Sequence, residues 1–185
     1  VKIKLSRNFT GRILNVTVSR KATGKYFVSL CVEEEVEIFP NNGGEIGIDV
    51  GIKDFYSDSN GDVAANPKTL KKYSKKLARE QRKLSRKAKG SNNRNKQRII
   101  VARVHEKIAN IRKDYLNKVS TRLVKENQLI GIEDLQVRNM LKNHQLAQAI
   151  SDVSWSEFFR MLEYNAVPHG CIVVRVPRLY LSSQT

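Results

Sequence analysis

Apolar and polar positions alternate along the first part of the chain, with the period of β-strands. Residues 12–19 alternate, and residues 25–33 are rich in Tyr, Phe and Val. The Ala-Thr-Gly turn between these two segments predicts a β-hairpin. An acidic run followed by Pro, Asn and Gly at residues 33–44 predicts a linker. We therefore expect two units: residues 1–42, the end of a small β domain, and residues 43–185.

The second unit opens with a strand over residues 45–51. Its three aliphatic residues share one face, and its other face carries Asp49 between two glycines. Two further short strands are expected at residues 52–56 and 63–64. This pattern predicts a small sheet whose first strand presents a carboxylate on its polar face.

Apolar residues then recur with the period of α-helices. A narrow stripe from Leu70 to Leu84 predicts one helix, and a continuous stripe from Val101 to Leu123 predicts a long helix over about residues 95–126. We expect residues 68–126 to form a helical hairpin with the two apolar stripes facing each other.

The remaining pattern predicts a strand over residues 129–134, then a helix, then a last apolar strand over residues 171–176. Ser154 with Glu157 predicts a capping box at the start of that helix, whose Trp155 is assigned to the core. This order is typical of an α/β, ribonuclease-H-like fold. In that fold the first and fourth strands of a mixed sheet lie side by side and parallel.

The predicted strand order brings two carboxylates together. Asp49 lies near the end of the first strand and Glu133 at the end of the fourth, and ligands of open α/β sheets bind at the carboxyl ends of strands. Two neighbouring carboxylates favour a shared cation such as Mg²⁺ or Mn²⁺, which can support two-metal hydrolysis of a phosphodiester. Taken singly, each acid is equally explained by a turn or capping role.

The charge is concentrated in one segment. The 185 residues carry a net charge of +16, and residues 68–113 hold eighteen Lys or Arg against two acids, which accounts for the whole excess. A solvated helix face usually mixes both signs, so this segment predicts nucleic-acid binding. The cations expected to contact nucleic acid are Lys71, Lys72, Lys75, Lys76, Arg79, Arg82, Lys83, Arg86, Lys87, Arg94 and Arg98.

Composition excludes several other classes of protein. No apolar stretch is long enough for a transmembrane helix. We expect no secretion, because the first residues lack a charged segment followed by an apolar run and a small-residue cleavage site. Cys31 and Cys171 lie far apart and outside any paired motif, which indicates a reducing compartment and no zinc site built from cysteine pairs within these residues.

Five segments together resemble the RuvC-like nuclease domain of the TnpB (OrfB-type) family of transposon-encoded proteins. The first is the Gly-Ile-Asp-Val-Gly segment and the residues after it, and the last is Ser-Asp-Val-Ser-Trp. The five are residues 47–55, 76–86, 101–109, 132–144 and 151–155.

The resemblance implies an RNA-guided, Mg²⁺-dependent DNA endonuclease (transposase-associated) with a guide RNA and a target DNA as partners. It implies the prokaryotic cytoplasm or nucleoid as the location, and a relationship to compact type V CRISPR effectors. By motif match, Asp49 and Glu133 correspond to the first two acids of the RuvC-like triad. The N-terminal strands resemble the end of the family's β-barrel (wedge) domain.

The resemblance also implies what lies beyond the matched residues. Family members continue into a four-cysteine ribbon that binds Zn²⁺ and then to the third catalytic Asp. Leu181 stands where the family usually has Pro, and Pro177 where it usually has Asp. We therefore expect residues 43–185 to hold an incomplete nuclease core, with the third acid and any Zn²⁺ outside them.

Two other functions compete with the nuclease interpretation. The Gly-x-Asp-x-Gly strand also opens actin-like ATPase folds, which need a second such domain and leave the basic segment unexplained. The other alternative is a non-cleaving nucleic-acid-binding fragment or regulator derived from a nuclease.

Overall fold

The computed structural model describes residues 3–6, 8–35, 38 and 43–177. The strands are β1 (Arg12–Arg20), β2 (Tyr26–Glu33), β3 (Gly44–Val50), β4 (Asp54–Asp58), β5 (Val63–Ala65), β6 (Asn127–Glu133) and β7 (Ile172–Val176). The helices are α1 (Thr69–Ser85), α2 (Asn92–Glu126), α3 (Val137–Met140), α4 (Ala147–Val153) and α5 (Trp155–Ala166), followed by a 3₁₀ turn at Val167–His169.

β1 and β2 form the predicted hairpin, an antiparallel ribbon of two strands. Its tip lies on the outer side of α2, where Lys25 Nζ is 3.1 Å from a carboxylate oxygen of Glu106 and the Thr23 hydroxyl donates to the other. Residues 36, 37 and 39–42 lie outside the described part of the chain. The domain boundary expected after residue 42 therefore stays a prediction.

The other five strands form one mixed sheet in the order β5-β4-β3-β6-β7. β3 runs parallel to β6, and β6 runs parallel to β7, whereas β4 is antiparallel to both β3 and β5. The predicted parallel pairing of the first and fourth strands of this unit is confirmed. A parallel pair needs a long crossover connection, and here that connection contains α2.

One face of the sheet packs against α2 and α5 and forms the main core. Ile48 and Ile132 are 5% and 1% exposed, and they lie in one cluster with Trp155, Phe158 and Leu123. The opposite face carries Gly47, Asp49 and Val174 and stays exposed in the described part of the chain. Asp49 therefore lies on the open side of the sheet, at the edge where β3 ends.

α1 and α2 form the predicted hairpin around a separate small core. Leu77 of α1 packs with Val101, Val104 and Ile108 of α2. The second half of α2 continues onto the sheet, where Leu116 and Leu123 are each 1% exposed. α2 is thus one continuous helix of about 50 Å that runs from the basic hairpin to the sheet.

The N-terminus of α1 is capped by a residue from a distant part of the chain. Lys68 precedes the helix with no side-chain cap of its own, and both carboxylate oxygens of Asp152 accept from the Leu70 N–H at 2.9 Å. A carboxylate at a helix N-terminus satisfies a free donor and interacts favourably with the helix dipole. Asp152 therefore fixes the start of the basic hairpin to the α/β unit.

Two local predictions are wrong. β4 spans Asp54–Asp58 rather than residues 52–56, because a tight turn follows Gly51, whose N–H donates to the Phe55 carbonyl. The capping box at Ser154 does not form: Ser154 has a φ of 58°, and its hydroxyl donates to the Ser151 carbonyl. Glu157 instead binds Arg160 at 2.7 Å.

No helix in the described ranges carries an apolar stretch long enough to cross a bilayer.

The core of the α/β unit depends on Phe158, which is fully buried and contacts Phe55 edge to face at a centroid distance of 4.8 Å. Phe158→Ala should lower the free energy of unfolding by about 3–5 kcal/mol, because it removes a buried ring and leaves a cavity. Denaturant titration followed by circular dichroism measures this loss. Tyr164→Ala on the same helix is the matched control, since Tyr164 is 69% exposed, and should change stability by no more than about 0.5 kcal/mol.

Candidate nucleic-acid and metal site

Asp49 and Glu133 lie next to each other in the sheet. The parallel register pairs Gly47 with Gly131 and Ile48 with Ile132, so Asp49 and Glu133 are the next positions along the two strands. Neighbouring strands are about 4.8 Å apart, and both residues fall on the face opposite the buried isoleucines. The two carboxylates thus share one edge and one face of the sheet.

The surroundings leave these carboxylates available. Asp49 is exposed and Glu133 partly buried, and neither side chain has a hydrogen bond or ion pair with any described residue. The neighbouring Asp134 differs, because Arg175 Nη1 lies 3.7 Å from it and the Arg175 guanidinium also binds Glu163. Asp134 therefore has a structural partner.

Among the residues that the structure describes, no group of three His, Cys, Asp or Glu side chains could hold a metal ion. Asp49 and Glu133 provide two carboxylates, a donor set that suits a hard divalent cation that keeps several of its waters. The pair can therefore hold a hydrated ion and leaves positions for other oxygen ligands. Neither Cys31, which is exposed, nor Cys171, which is buried, lies on these strands.

The glycines beside Asp49 have different structural roles. A side chain at Gly51 would place its Cβ 2.9 Å from the Asp54 carbonyl oxygen, so the turn itself requires glycine there. A Cβ at Gly47 would meet only the Ser59 Cβ at 3.8 Å, and one at Gly131 would be in ordinary contact. The fold tolerates a larger residue at Gly47 and Gly131, so their lack of side chains leaves the sheet face open.

The cations of α1 form a continuous outer surface. The apolar residues of α1 face α2, and the predicted nucleic-acid-binding residues of α1 lie on the opposite side of the helix. Of the eleven cations predicted to bind nucleic acid, Lys87 and Arg94 are partly buried, and nine are exposed: Lys71, Lys72, Lys75, Lys76, Arg79, Arg82, Lys83, Arg86 and Arg98.

Four of these cations also have partners within the hairpin, and the longest of these contacts joins Arg82 Nε to the Ala78 carbonyl oxygen at 3.4 Å. Arg79 and Lys83 bind the carboxylate of Glu80 at 3.2 and 3.1 Å. Arg94 Nη1 donates to the carbonyl oxygens of Leu84 and Lys87, both at 2.9 Å, and so caps the C-terminal end of α1. Part of the guanidinium of Arg94 is thus used to close the hairpin.

Sequence reasoning missed Glu80, Gln97 and Asp152, which hold the hairpin together. The spacing of Glu80, three residues after Leu77 and four before Leu84, places it on the apolar stripe, and this signal could have identified it as buried. The capping role of Asp152 has no local signal, because its partner lies 82 residues away.

A polar cavity of about 640 Å³ lies at the other end of the sheet, between Tyr56, Asp58, Arg122 and Glu126. Arg122 donates to the Tyr56 hydroxyl oxygen at 2.6 Å, and burial raises the pKa of Tyr56 although Arg122 opposes the shift. Burial also raises the pKa of Tyr115 to about 12, and its hydroxyl donates to the Ala65 carbonyl. Both phenols are therefore protonated near neutral pH and act as structural groups.

Residues 29–144 match the OrfB (IS605-type) family, whose description is "Probable transposase". A protein of Streptomyces pristinaespiralis named "Putative RNA-guided DNA endonuclease" is 48% identical over 169 residues, which cover 91% of this chain and 42% of that protein. The InsQ protein of Escherichia coli K12, with the same description, is 38% identical over 201 residues, which cover 100% of this chain and 50% of InsQ. A Mycobacterium tuberculosis protein so described is 28% identical over 94% of this chain and 41% of its own length. The chain thus spans about half the length of the curated relatives it matches.

The neighbouring positions of Asp49 and Glu133 can be tested by cross-linking. In a Cys31→Ser background, the pair Asp49→Cys and Glu133→Cys should form a disulfide under mild oxidation. Adjacent parallel strands bring the Cα atoms within the 4.4–6.8 Å or so that a disulfide spans. Non-reducing mass spectrometry after proteolysis measures the link.

The matched control pairs Glu45→Cys with Glu133→Cys. Glu45 lies on the same strand and the same face of the sheet as Asp49. It pairs with Leu129, which is four residues before Glu133. No link should form in this control. A link in the control and none in the test pair would contradict the register.

Proposed function

Because this chain belongs to the OrfB-type (TnpB) family of transposases, we propose that it is the nuclease core of an RNA-guided DNA endonuclease. The observation that carries the proposal is the adjacent placement of Asp49 and Glu133 at the carboxyl ends of two parallel strands. The names of the relatives support the same activity.

The sheet supports a ribonuclease-H-like (RuvC-like) assignment. Three consecutive antiparallel strands, β5-β4-β3, are extended by β6 and β7, which both run parallel to β3. Ligands of such open sheets bind beyond the carboxyl ends of the parallel strands. Asp49 and Glu133 lie at that edge, so we assign the reaction to it.

We further propose Mg²⁺, or Mn²⁺ in its place, as the cofactor held by Asp49 and Glu133. A divalent ion supplies Lewis-acid activation of a water and stabilisation of the leaving oxygen of a phosphodiester. The two carboxylates would bind the divalent ion and orient it toward the substrate. The open face at Gly47 admits a phosphate backbone. In the proposed whole protein a third acidic ligand and the Zn²⁺ ribbon lie outside residues 43–185, as the family resemblance implies.

The basic hairpin supplies the electrostatic part of the function. Lys and Arg on the outer face of α1 neutralise phosphates of the guide RNA and the target DNA, without reading base sequence. α1 starts shortly after β5, whose last residue Ala65 pairs with Asp54 near the edge that carries Asp49. Nucleic acid bound on this face therefore lies near the two carboxylates. The proposed location is the prokaryotic cytoplasm or nucleoid, where both partners occur.

A second candidate function is a nucleic-acid-binding fragment or regulator that does not cleave. The observation that favours it is that the described residues bring together two, not three, metal-ligating side chains at this edge. A cleavage assay on the whole protein in the presence of Mg²⁺ separates this function from cleavage.

In the whole protein loaded with guide RNA, Asp49→Ala should abolish DNA cleavage and leave RNA and DNA binding nearly unchanged. One acid contributes little to a field set by eighteen clustered cations, whereas it is one of two carboxylates available for a metal ion. Cleavage of labelled target DNA and filter binding measure the two effects.

The matched control is Asp62→Ala, an exposed acid at the opposite end of the sheet, which should retain cleavage. Loss of binding by the Asp49 variant with an intact fold would indicate a recognition role. Absence of Mg²⁺-dependent cleavage by the unaltered whole protein would favour the non-cleaving function.

Binding of nucleic acid by this chain should weaken steeply with salt, because each phosphate contact releases counterions. If a third to a half of the eighteen cations engage, the slope of log affinity against log salt is roughly −4 to −8, with little dependence on base sequence. Replacing Lys75, Arg82 and Arg86 with Glu should flatten it by several units. Fluorescence anisotropy with labelled RNA and DNA measures the slope.

Replacing Lys4, Lys21 and Lys142 with Glu makes the same charge change at exposed positions outside the hairpin. The slope of this control should stay close to that of the unaltered chain. Equal effects of the two triple variants would indicate that net charge alone, and not the hairpin, governs binding.

A further inference from the structure

The cationic segment contains two acids, and the structure gives each a different position. Glu106 faces outward from α2 and binds the tip of the β1–β2 ribbon through Lys25 and Thr23. Glu80 is 6% exposed and lies between α1 and α2. The surface proposed to bind nucleic acid therefore has one buried carboxylate beneath its cations, that of Glu80.

Glu80 contacts both helices at once. One carboxylate oxygen accepts from Gln97 Nε2 of α2 at 2.9 Å, and the other accepts from Lys83 at 3.1 Å and Arg79 at 3.2 Å. Gln97 Nε2 also donates to the backbone oxygen of Glu80 at 3.2 Å. The hydrogen bond from Gln97 is the largest cause of the lowered pKa of Glu80, followed by that from Lys83, so the carboxylate is ionised.

The two cations that Glu80 holds remain accessible. The side chains of Arg79 and Lys83 are 62% and 54% exposed, and Arg79 binds Glu80 through Nε. Its terminal nitrogens are left for a phosphate. Holding a long cationic side chain in place before binding reduces the entropy that is lost when it engages a ligand.

We propose that Glu80 is a positioning residue of the nucleic-acid-binding face, which holds Arg79 and Lys83 in place and fixes α2 against α1. This inference rests on the proposed function, namely that the outer face of α1 binds phosphate. It assigns to Glu80 a favourable effect on polyanion binding despite its negative charge.

Simple electrostatics makes the opposite prediction. An acid within a cationic surface repels phosphate, so its removal should strengthen binding. The sign of the change in affinity on removing the charge of Glu80 therefore distinguishes positioning from bulk repulsion.

The experiment compares Glu80→Gln with Glu106→Gln in the 185-residue chain, titrated with a labelled DNA duplex and a labelled RNA across a range of salt concentrations. Both variants replace one acid of the same segment with an amide of similar shape. Glu106→Gln should bind as tightly as the unaltered chain or more tightly. Glu80→Gln should bind about threefold to tenfold more weakly, with a salt slope flatter by about one to two units, because two cations lose their position.

A comparison in the Arg79→Gln/Lys83→Gln background separates positioning from a general loss of structure. With both of the cations that Glu80 contacts removed, Glu80→Gln should no longer weaken binding or flatten the salt slope. Far-ultraviolet circular dichroism reports the helical content of each variant. If Glu80→Gln alone loses helix, its effects in the two backgrounds decide the question, because a loss of structure weakens binding equally in both.

The outcomes separate this inference from the function on which it rests. A slope near zero for the unaltered chain would overturn both. A steep slope for the unaltered chain, with tighter binding by Glu80→Gln, would overturn the positioning role alone. An equal loss of affinity on Glu80→Gln with and without Arg79 and Lys83 would also overturn it.

Discussion

The parallel pairing of β3 with β6 is the constraint on which the rest of the structure depends. Parallel neighbours cannot be joined by a tight turn, so the chain between them must leave the sheet and return. Here that crossover contains two further strands and the entire basic hairpin, and α2 leads directly into β6. The same pairing that places Asp49 beside Glu133 therefore also fixes where the cationic surface begins.

A hairpin with this much positive charge needs specific interactions to hold its two helices together. The apolar contact around Leu77 is small, and repulsion among eighteen cations opposes it. Three polar contacts compensate, each at a different point of the hairpin: Asp152 caps the start of α1, Glu80 binds Gln97 in its middle, and Arg94 caps its end. Asp152 and Glu80 thus stabilise the packing of the hairpin, and the outer face of α1 keeps its positive charge.

The open face of the sheet links fold and proposed function. Gly47 and Gly131 are paired across β3 and β6, and neither is required by a tight contact or a left-handed backbone. They keep the surface flat beside the two carboxylates, which is what a phosphate backbone needs in order to approach. Gly51 differs from these two glycines, because a side chain there would clash with the Asp54 carbonyl oxygen in the turn into β4.

The order of elements along the chain predicted the parallel pairing of the first and fourth strands of the α/β unit. Hydrophobic periodicity was enough to predict the ribbon and the helical hairpin, because these follow from which faces must be buried. It also placed Asp49 and Glu133 at strand ends. It could not predict the cap from Asp152, because that contact depends on how distant elements pack. The capping box at Ser154 failed for a related reason: the left-handed backbone there turns the hydroxyl toward Ser151.

We propose above all that Asp49 and Glu133 share one divalent cation at the edge of the sheet. Anomalous diffraction from crystals of this chain soaked in Mn²⁺ tests it most directly. We expect one manganese peak within about 2.0–2.3 Å of a carboxylate oxygen of each residue, with waters in the remaining positions. Carboxyl groups more than about 10 Å apart, too far to share an ion or to bridge a pair of metals about 4 Å apart, would contradict it. So would a peak that contacts neither residue.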